Sequence, residues 1–547
     1  MRLFHAGRGH RHRAFSLALT LLAGVLVWAA LVLPDELDLL TPSTFLRIPL
    51  EALVVIALAV VLPERARQVT AVVFGLLLGL VLVVKVTNIG FEVVLDRPFD
   101  PAVDWAFLGP GVGVVRDTEG LGWAVAAVVG AVLGTVAALT LLPLATLRLT
   151  RLAAVHRRPS LVAVSALGLA WVLAAVTGLQ LSPGGRVASA SAAERVYSDV
   201  RQLRADIRDR VIFTAEVEDD PFADVPADRL LTGLRGKDVL VVFVESYGRV
   251  AIEDPVLSPE VSRVLEAGTS RLDALGFSAR SGFLTSPTFG AGSWLAHATL
   301  QSGLWLDNQQ RYDQLLAGDR MTLSSAFERA GWRTVFALPA VKKAWPEGAN
   351  FYGYDGLVDF GALQYAGPKF GWSRVPDQYL LSRFEQLELT ERDREPVMAE
   401  VDLSSSHHPW APLPRMVPWS SLGDGSVYKG MQKEGPTSDE VFEDPDDVRE
   451  QYASSVAYSL EALVSWVGTY ADDDLVMVVL GDHQPHTYVT GPDPDHDVPV
   501  SILAHDPDVL RQVSGWGWDE GLRPGPDAPV WRMDSFRDRF LTTFGPG

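Results

Sequence analysis

Apolar residues follow two patterns along this chain: long unbroken runs before residue 182, and short β-branched runs after residue 236. Five long runs, at about 14–33, 44–62, 69–88, 122–147 and 161–181, approach the roughly 20 apolar residues that span a bilayer. They predict a five-helix transmembrane region over 1–181. The first run reads as a retained anchor, since four more follow and no small-residue cleavage site separates them.

The short runs predict strands at 238–245, 333–339, 397–403, 475–480 and 498–504. Helical spacing is found between them, at 258–275, 293–304, 320–331, 376–389 and 447–470. Such alternation predicts an α/β domain over 237–547, its sheet covered by helices on both faces. Residues 182–236 read as a connector. Ser182-Pro-Gly-Gly ends the last apolar run, a charged helical stretch follows from Ala192 to about Ile212, and 215–229 is an acidic linker. The aperiodic stretch 411–446 predicts a long surface loop, a candidate lid.

Charge orients the membrane region. Arg2, Arg8, Arg11 and Arg13 precede the first run, Arg65 and Arg67 lie between the second and third, and Arg148, Arg151, Arg157 and Arg158 between the fourth and fifth. The alternate connections are acidic. The positive-inside rule then predicts a cytoplasmic N-terminus and, after five crossings, an extracellular α/β domain. Arg47, Glu51 and Lys85 fall near run ends, where snorkelling accounts for them. Of the net charge of −20, the chain after residue 181 carries about −23, from 33 basic and 56 acidic residues. That excludes nucleic acid as a partner. No cysteine is present, so thiolate ligands, thiol nucleophiles and disulfides are all excluded.

Candidate chemistry lies where strands end. Glu245 closes Asp238-Val-Leu-Val-Val-Phe-Val-Glu245, and Asp482-His483 closes Leu475-Val-Met-Val-Val-Leu-Gly-Asp482-His483. Ligands of open α/β sheets bind at the carboxyl ends of strands. Two carboxylates and an imidazole converging there suit zinc or manganese; the plain alternative is a strand cap and an ordinary turn. Ser293 follows Gly290-Ala-Gly292 at a predicted helix start, where free N–H groups favour an alkoxide or phosphate. A simple N-cap serine is the other reading.

The order strand-Glu245, Gly-x-Gly-Ser293, Ser406-His407-His408-Pro409-Trp410 and strand-Gly-Asp482-His483 resembles the alkaline phosphatase/sulfatase superfamily. More narrowly, with five spans before it, the chain looks like the lipoteichoic acid synthase branch. The resemblance implies an alkaline-phosphatase-like sheet, Ser293 as nucleophile (where the branch has threonine), and Glu245, Ser293, Asp482 and His483 around one divalent metal, manganese or zinc with magnesium a third choice. It implies that His407 contacts the transferred group, stabilising or protonating an oxygen, and that Trp345 and Gly353-Tyr354-Asp355 lie near the substrate pocket. His408, His297, His486, His496 and His505 are left outside the metal set.

Two departures qualify the resemblance. The arginine expected after Trp345 is absent, leaving Lys342 and Lys343 as candidate phosphate-binding cations, and the sulfatase Cys/Ser-x-Pro-x-Arg hallmark is missing. The implied activity is transfer of a phosphoryl-linked headgroup from a membrane lipid to an envelope polymer or glycolipid acceptor. A membrane-anchored phosphodiesterase or sulfatase-like hydrolase is the alternative.

Overall fold

In the computed structural model, residues 6–35, 39–101, 103–118, 120–181, 186–339, 346–391, 393–492 and 494–545 are described. The chain divides into two compact units, Met1–Asp209 and Arg210–Gly547, with the boundary inside a helix running Ser191–Glu218.

Among the described residues, four helices of the first unit are long and apolar enough to cross a membrane: Arg13–Val32, Glu64–Leu95, Leu121–Val155 and Arg157–Thr177. The expected second span, 44–62, is broken instead. A 3-10 turn (Pro42–Leu46) and a two-residue strand (Ile48–Pro49) precede a helix of only 12 residues, Leu50–Val61. Such a helix rises about 18 Å, against roughly 30 Å of hydrocarbon. Its position in the bundle is still informative. At one end, Ser191 Oγ donates to the Leu31 carbonyl (2.9 Å), the Ala193 N–H donates to Glu51 (2.9 Å), and Ile48 pairs with Ala188. At the other, Arg148 donates to Thr20 Oγ1 (3.0 Å) and Thr146 to the Ala71 carbonyl (2.8 Å). The chain therefore passes from one end of the bundle to the other between residues 48 and 71. Lys85 does not snorkel. It is fully buried and donates to the Leu33 carbonyl (2.7 Å), with Asp35 at 3.6 Å.

The second unit is built on a nine-stranded mixed sheet. Its order is Asp519–Glu520, Ser278–Thr285, Asp497–Ala504, Leu475–Gly481, Asp238–Val244, Val397–Leu403, Arg333–Ala337 and Gly356–Val358, with Val530–Arg532 added beside Ser278–Thr285. All five predicted strands are present. The central ones run parallel, while Asp497–Ala504 is antiparallel to both neighbours. Apolar runs form these strands because both faces are covered. Leu240, Val242 and Val244 enter one core cluster, and Val239, Val241 and Phe243 the other.

Two connecting segments depart from expectation. In the acidic stretch read as a linker, the Asp220 side chain is 3% exposed and bonded to Arg537 at 3.0 Å. The stretch 411–446 is not a loose lid. It folds into short 3-10 turns and the helix Ser438–Val441, burying Leu422, Tyr428, Met431 and Val441 in the core.

Candidate active site

Glu245 and Asp482 leave the carboxyl ends of adjacent parallel strands, where Val244 is in register with Gly481. The two strand ends are packed so closely that a Cβ on Gly481 would collide with the Tyr247 carbonyl, so only glycine fits. Ser246, between them, adopts a left-handed φ of 55°. That turn sends its N–H to Asp482 Oδ1 (2.7 Å) and its hydroxyl to Glu245 Oε1 (3.1 Å), while Tyr452 holds its carbonyl (2.8 Å). Strain in a non-glycine residue is thereby used to place both carboxylates.

Ser293 is the first residue of the helix Ser293–Ser302, entered through Gly292 in the left-handed region (φ 90°). Its Oγ lies 3.2 Å from Glu245 Oε2 and 3.3 Å from His483 Nε2. His483 Nε2 lies 3.4 Å from Asp482 Oδ2 and 3.5 Å from Glu245 Oε1. The structure thus brings together Glu245, Ser293 and the adjacent Asp482 and His483 from three separate stretches of the sequence.

These residues fit a dication on three counts. Tetrahedral donors at about 2.0–2.2 Å from one ion stand roughly 3.3–3.6 Å apart, which is the spacing found here. Asp482 Oδ1 accepts from the Ser246 and His483 N–H groups (2.7 and 2.8 Å), yet Oδ2 is buried with no hydrogen-bond partner among the described residues. His483 Nδ1 is 2.8 Å from the Gln484 carbonyl, so Nδ1 carries the proton and Nε2 presents a lone pair to the site. One nitrogen and several oxygen donors suit zinc, manganese or magnesium.

The electrostatics agree. Burial, and then the charge of Asp482, push Glu245 up to about 7. Burial also opposes ionisation of Asp482, but His483, His297 and its hydrogen bonds outweigh it and hold the carboxyl below its ordinary value. Excess buried negative charge is what a dication would neutralise.

A second cluster adjoins the first on the sheet. His297 Nδ1 lies 2.8 Å from Glu400 Oε1 and 3.5 Å from Asp402 Oδ1. Gln301 and Tyr354 both donate to Glu400 Oε2, Tyr354 at 2.7 Å. Burial alone would lower His297, but Asp402 and Glu400 outweigh it and raise the ring to about 9. Tyr354, read as a pocket residue, serves this cluster. Asp355 instead accepts from Thr334 N–H (2.9 Å) at a strand edge.

His407 stands on the loop after Val397–Leu403, which Ser406 ties to the Glu245 carbonyl (2.6 Å). Its ring stacks on Trp372 (centroids 3.9 Å, 14°), and its Nδ1 is 2.6 Å from the His408 carbonyl. Burial drops His407 to about 4, so the ring is neutral, with Nε2 as acceptor. His496 and His505 lie against Phe289 and Phe277, and His486 stacks on Tyr488. None of the three joins either cluster among the described residues. Lys342, Lys343 and Trp345 lie outside the described residues. Glu400, Asp402, Gln301 and Trp372 had not been singled out in the sequence.

No family model and no curated protein matches the chain. Among solved structures it is similar to the lipoteichoic acid synthase LtaP from Listeria monocytogenes, at 15% identity over 61% of this chain and 80% of that one, with a TM-score of 0.38. The soluble domain of lipooligosaccharide phosphoethanolamine transferase A from Neisseria meningitidis is similar at 16% identity, over 59% and 94%, with a TM-score of 0.37. The Streptococcus pyogenes phosphoglycerol transferase GacH, in complex with sn-glycerol-1-phosphate, is similar at 12% identity, over 61% and 90%, with a TM-score of 0.34. Each activity just named is that protein's own.

Proposed function

We propose that this protein is a metal-dependent phosphotransferase. It moves a phosphoryl-linked headgroup, such as phosphoglycerol or phosphoethanolamine, from a membrane lipid to a cell-envelope polymer or glycolipid through a covalent intermediate on Ser293. The observation that carries this reading is the position of Ser293 Oγ, at a helix start and within 3.3 Å of both Glu245 and His483.

Glu245, Ser293 Oγ, Asp482 and His483 would hold one dication, manganese or zinc, with magnesium also compatible. Such an ion lowers the pKa of a bound hydroxyl and offsets charge on a phosphoryl oxygen. In the first half-reaction Ser293 Oγ loses its proton and forms a bond to phosphorus. The bond from phosphorus to the lipid glycerol oxygen breaks, and diacylglycerol leaves with a proton gained. The N-terminus of the Ser293 helix, the positive end of its dipole, would face the phosphoryl oxygens. In the second half-reaction the acceptor hydroxyl attacks phosphorus, the bond to Oγ breaks, and Ser293 recovers a proton. His407, neutral and with Nε2 open, takes the acceptor's proton. Lys342, Lys343 and Trp345 are assigned to donor binding on motif resemblance alone.

A lipid donor accounts for the apolar first unit. We read the chain as crossing five times, the short Leu50–Val61 helix included, because it connects opposite ends of the helix bundle. The N-terminus is then cytoplasmic and the α/β unit extracellular.

The test is direct. Full-length protein in vesicles of phosphatidylglycerol or phosphatidylethanolamine, labelled in the headgroup, is incubated with manganese and a glycolipid acceptor. Diacylglycerol release with label on the acceptor supports transfer. Label released only to water makes the protein a hydrolase, and no lipid cleavage refutes the proposal.

A further inference from the structure

Ser293, His297 and Gln301 follow one another at four-residue intervals, so they share one face of the Ser293–Ser302 helix. That face lies on the sheet through polar contacts. Ser293 meets Glu245 at the end of Asp238–Val244. The His297 ring stacks on Phe243 of the same strand (centroids 3.7 Å, 12°) and reaches Glu400 and Asp402 on the neighbouring strand. Gln301 donates to Glu400 and accepts from the Ser324 N–H (3.0 Å).

Glu400 is 2% exposed in the middle of a strand whose other buried members are apolar. A carboxylate there is costly to bury and would pack worse than valine. Its partners His297, Gln301 and Tyr354 leave neither oxygen free. Apolar contacts resist separation of a helix from a sheet but oppose sliding and rotation only weakly, whereas hydrogen bonds fix both. Ser293 lies about one helical turn from His297, so a rotation or slide of the helix at His297 displaces Oγ as well.

We propose that His297, with Glu400 and Gln301, is a positioning group that locks the Ser293 helix in rotation and height, so that Oγ stands between Glu245 and His483. The inference rests on the Ser293 reading above. The same cluster can be weighed as a second cation centre, but its geometry differs. His297 and Glu400 stand at a hydrogen-bonding 2.8 Å, and Glu400 Oε2 already has two donors, while the first cluster is spaced 3.2–3.5 Å.

Full-length variants in detergent, saturated with manganese, are assayed on bis(p-nitrophenyl) phosphate. His297→Leu lowers kcat by about tenfold to 100-fold with KM within about twofold, the signature of a misplaced nucleophile. His297→Asn, whose amide can stand in for Nδ1–H, recovers most of that loss. Should the leucine variant not fold, Gln301→Ala must show the same kcat loss. A folded His297→Leu or Gln301→Ala protein with wild-type kcat overturns the inference, as does a change confined to KM. So do two bound metal ions per wild-type chain falling to one in His297→Leu. Ser293→Ala separates the two claims: if it abolishes turnover while His297→Leu does not, only the positioning role fails. If wild type and Ser293→Ala are equally active or equally inactive, the proposed function fails, and this inference with it.

Discussion

Ser293 Oγ lies 3.3 Å from His483 Nε2, and the imidazole can meet it only as an acceptor, because its other nitrogen donates to the Gln484 carbonyl. The serine hydroxyl therefore donates to Glu245 or His483. Nothing in the pair competes for the oxygen lone pairs.

Asp482→Asn is a clean test of the metal centre. The asparagine oxygen can still accept from the Ser246 and His483 N–H groups, so only the unpartnered Oδ2 is exchanged for an amide nitrogen. The fold should persist, with a melting temperature near wild type. Manganese affinity, by calorimetric titration, should fall by about 100-fold or more, since removing even a ligand's supporting partner costs 10–100-fold. Unchanged affinity would remove Asp482 from the ligand set.

Metal binding should depend on pH through Glu245. With its carboxyl raised to about 7, a proton must leave before an ion can bind. Apparent affinity should therefore weaken by about tenfold per unit as pH falls below about 7, and level off above it. His407, held near 4, is already neutral over this range and adds no limb. Glu245→Gln should bind more weakly but lose this slope; the same slope in that variant would assign the proton elsewhere.

The absence of cysteine allows a background-free test of topology. Ser420→Cys and Arg65→Cys each introduce one reporter at an exposed position. A membrane-impermeant maleimide should label Ser420→Cys in intact protoplasts, and Arg65→Cys only after permeabilisation. The reverse pattern would place the α/β unit inside and remove its access to outer lipid headgroups.

What the sequence made legible follows physical rules. Strands such as Asp238–Val244 and Leu475–Gly481 are buried on both faces, so every position from Val239 to Val244 and from Leu475 to Leu480 is apolar and the run is unmistakable. Glu245, Asp482 and His483 are visible because polarity begins abruptly where those runs stop. Ser278–Thr285 is hidden because it contains serines and a glycine. Its Ser281 bonds Ser501 across the sheet (2.8 Å), and Gly282 makes room for Trp518. Glu400 and Asp402 alternate with apolar residues, which in sequence looks like a solvated strand face; the Ser293 helix covers it. The 44–62 run averages to an apolar span only because the hydropathy of Leu50–Val61 masks Arg47 and Pro49. The stacking of Trp372 on His407 joins residues 35 positions apart and has no local signal.

The central claim is the covalent intermediate, and mass spectrometry of acid-quenched enzyme tests it most directly. Full-length protein with manganese and phosphatidylglycerol or phosphatidylethanolamine, quenched during turnover, should carry the phosphoryl headgroup on the peptide containing Ser293. Ser293→Ala should carry none, and Ser293→Thr should retain part of it. An adduct on Ser286, Thr288 or Thr299 instead, or turnover by Ser293→Ala at the wild-type rate, would contradict the account.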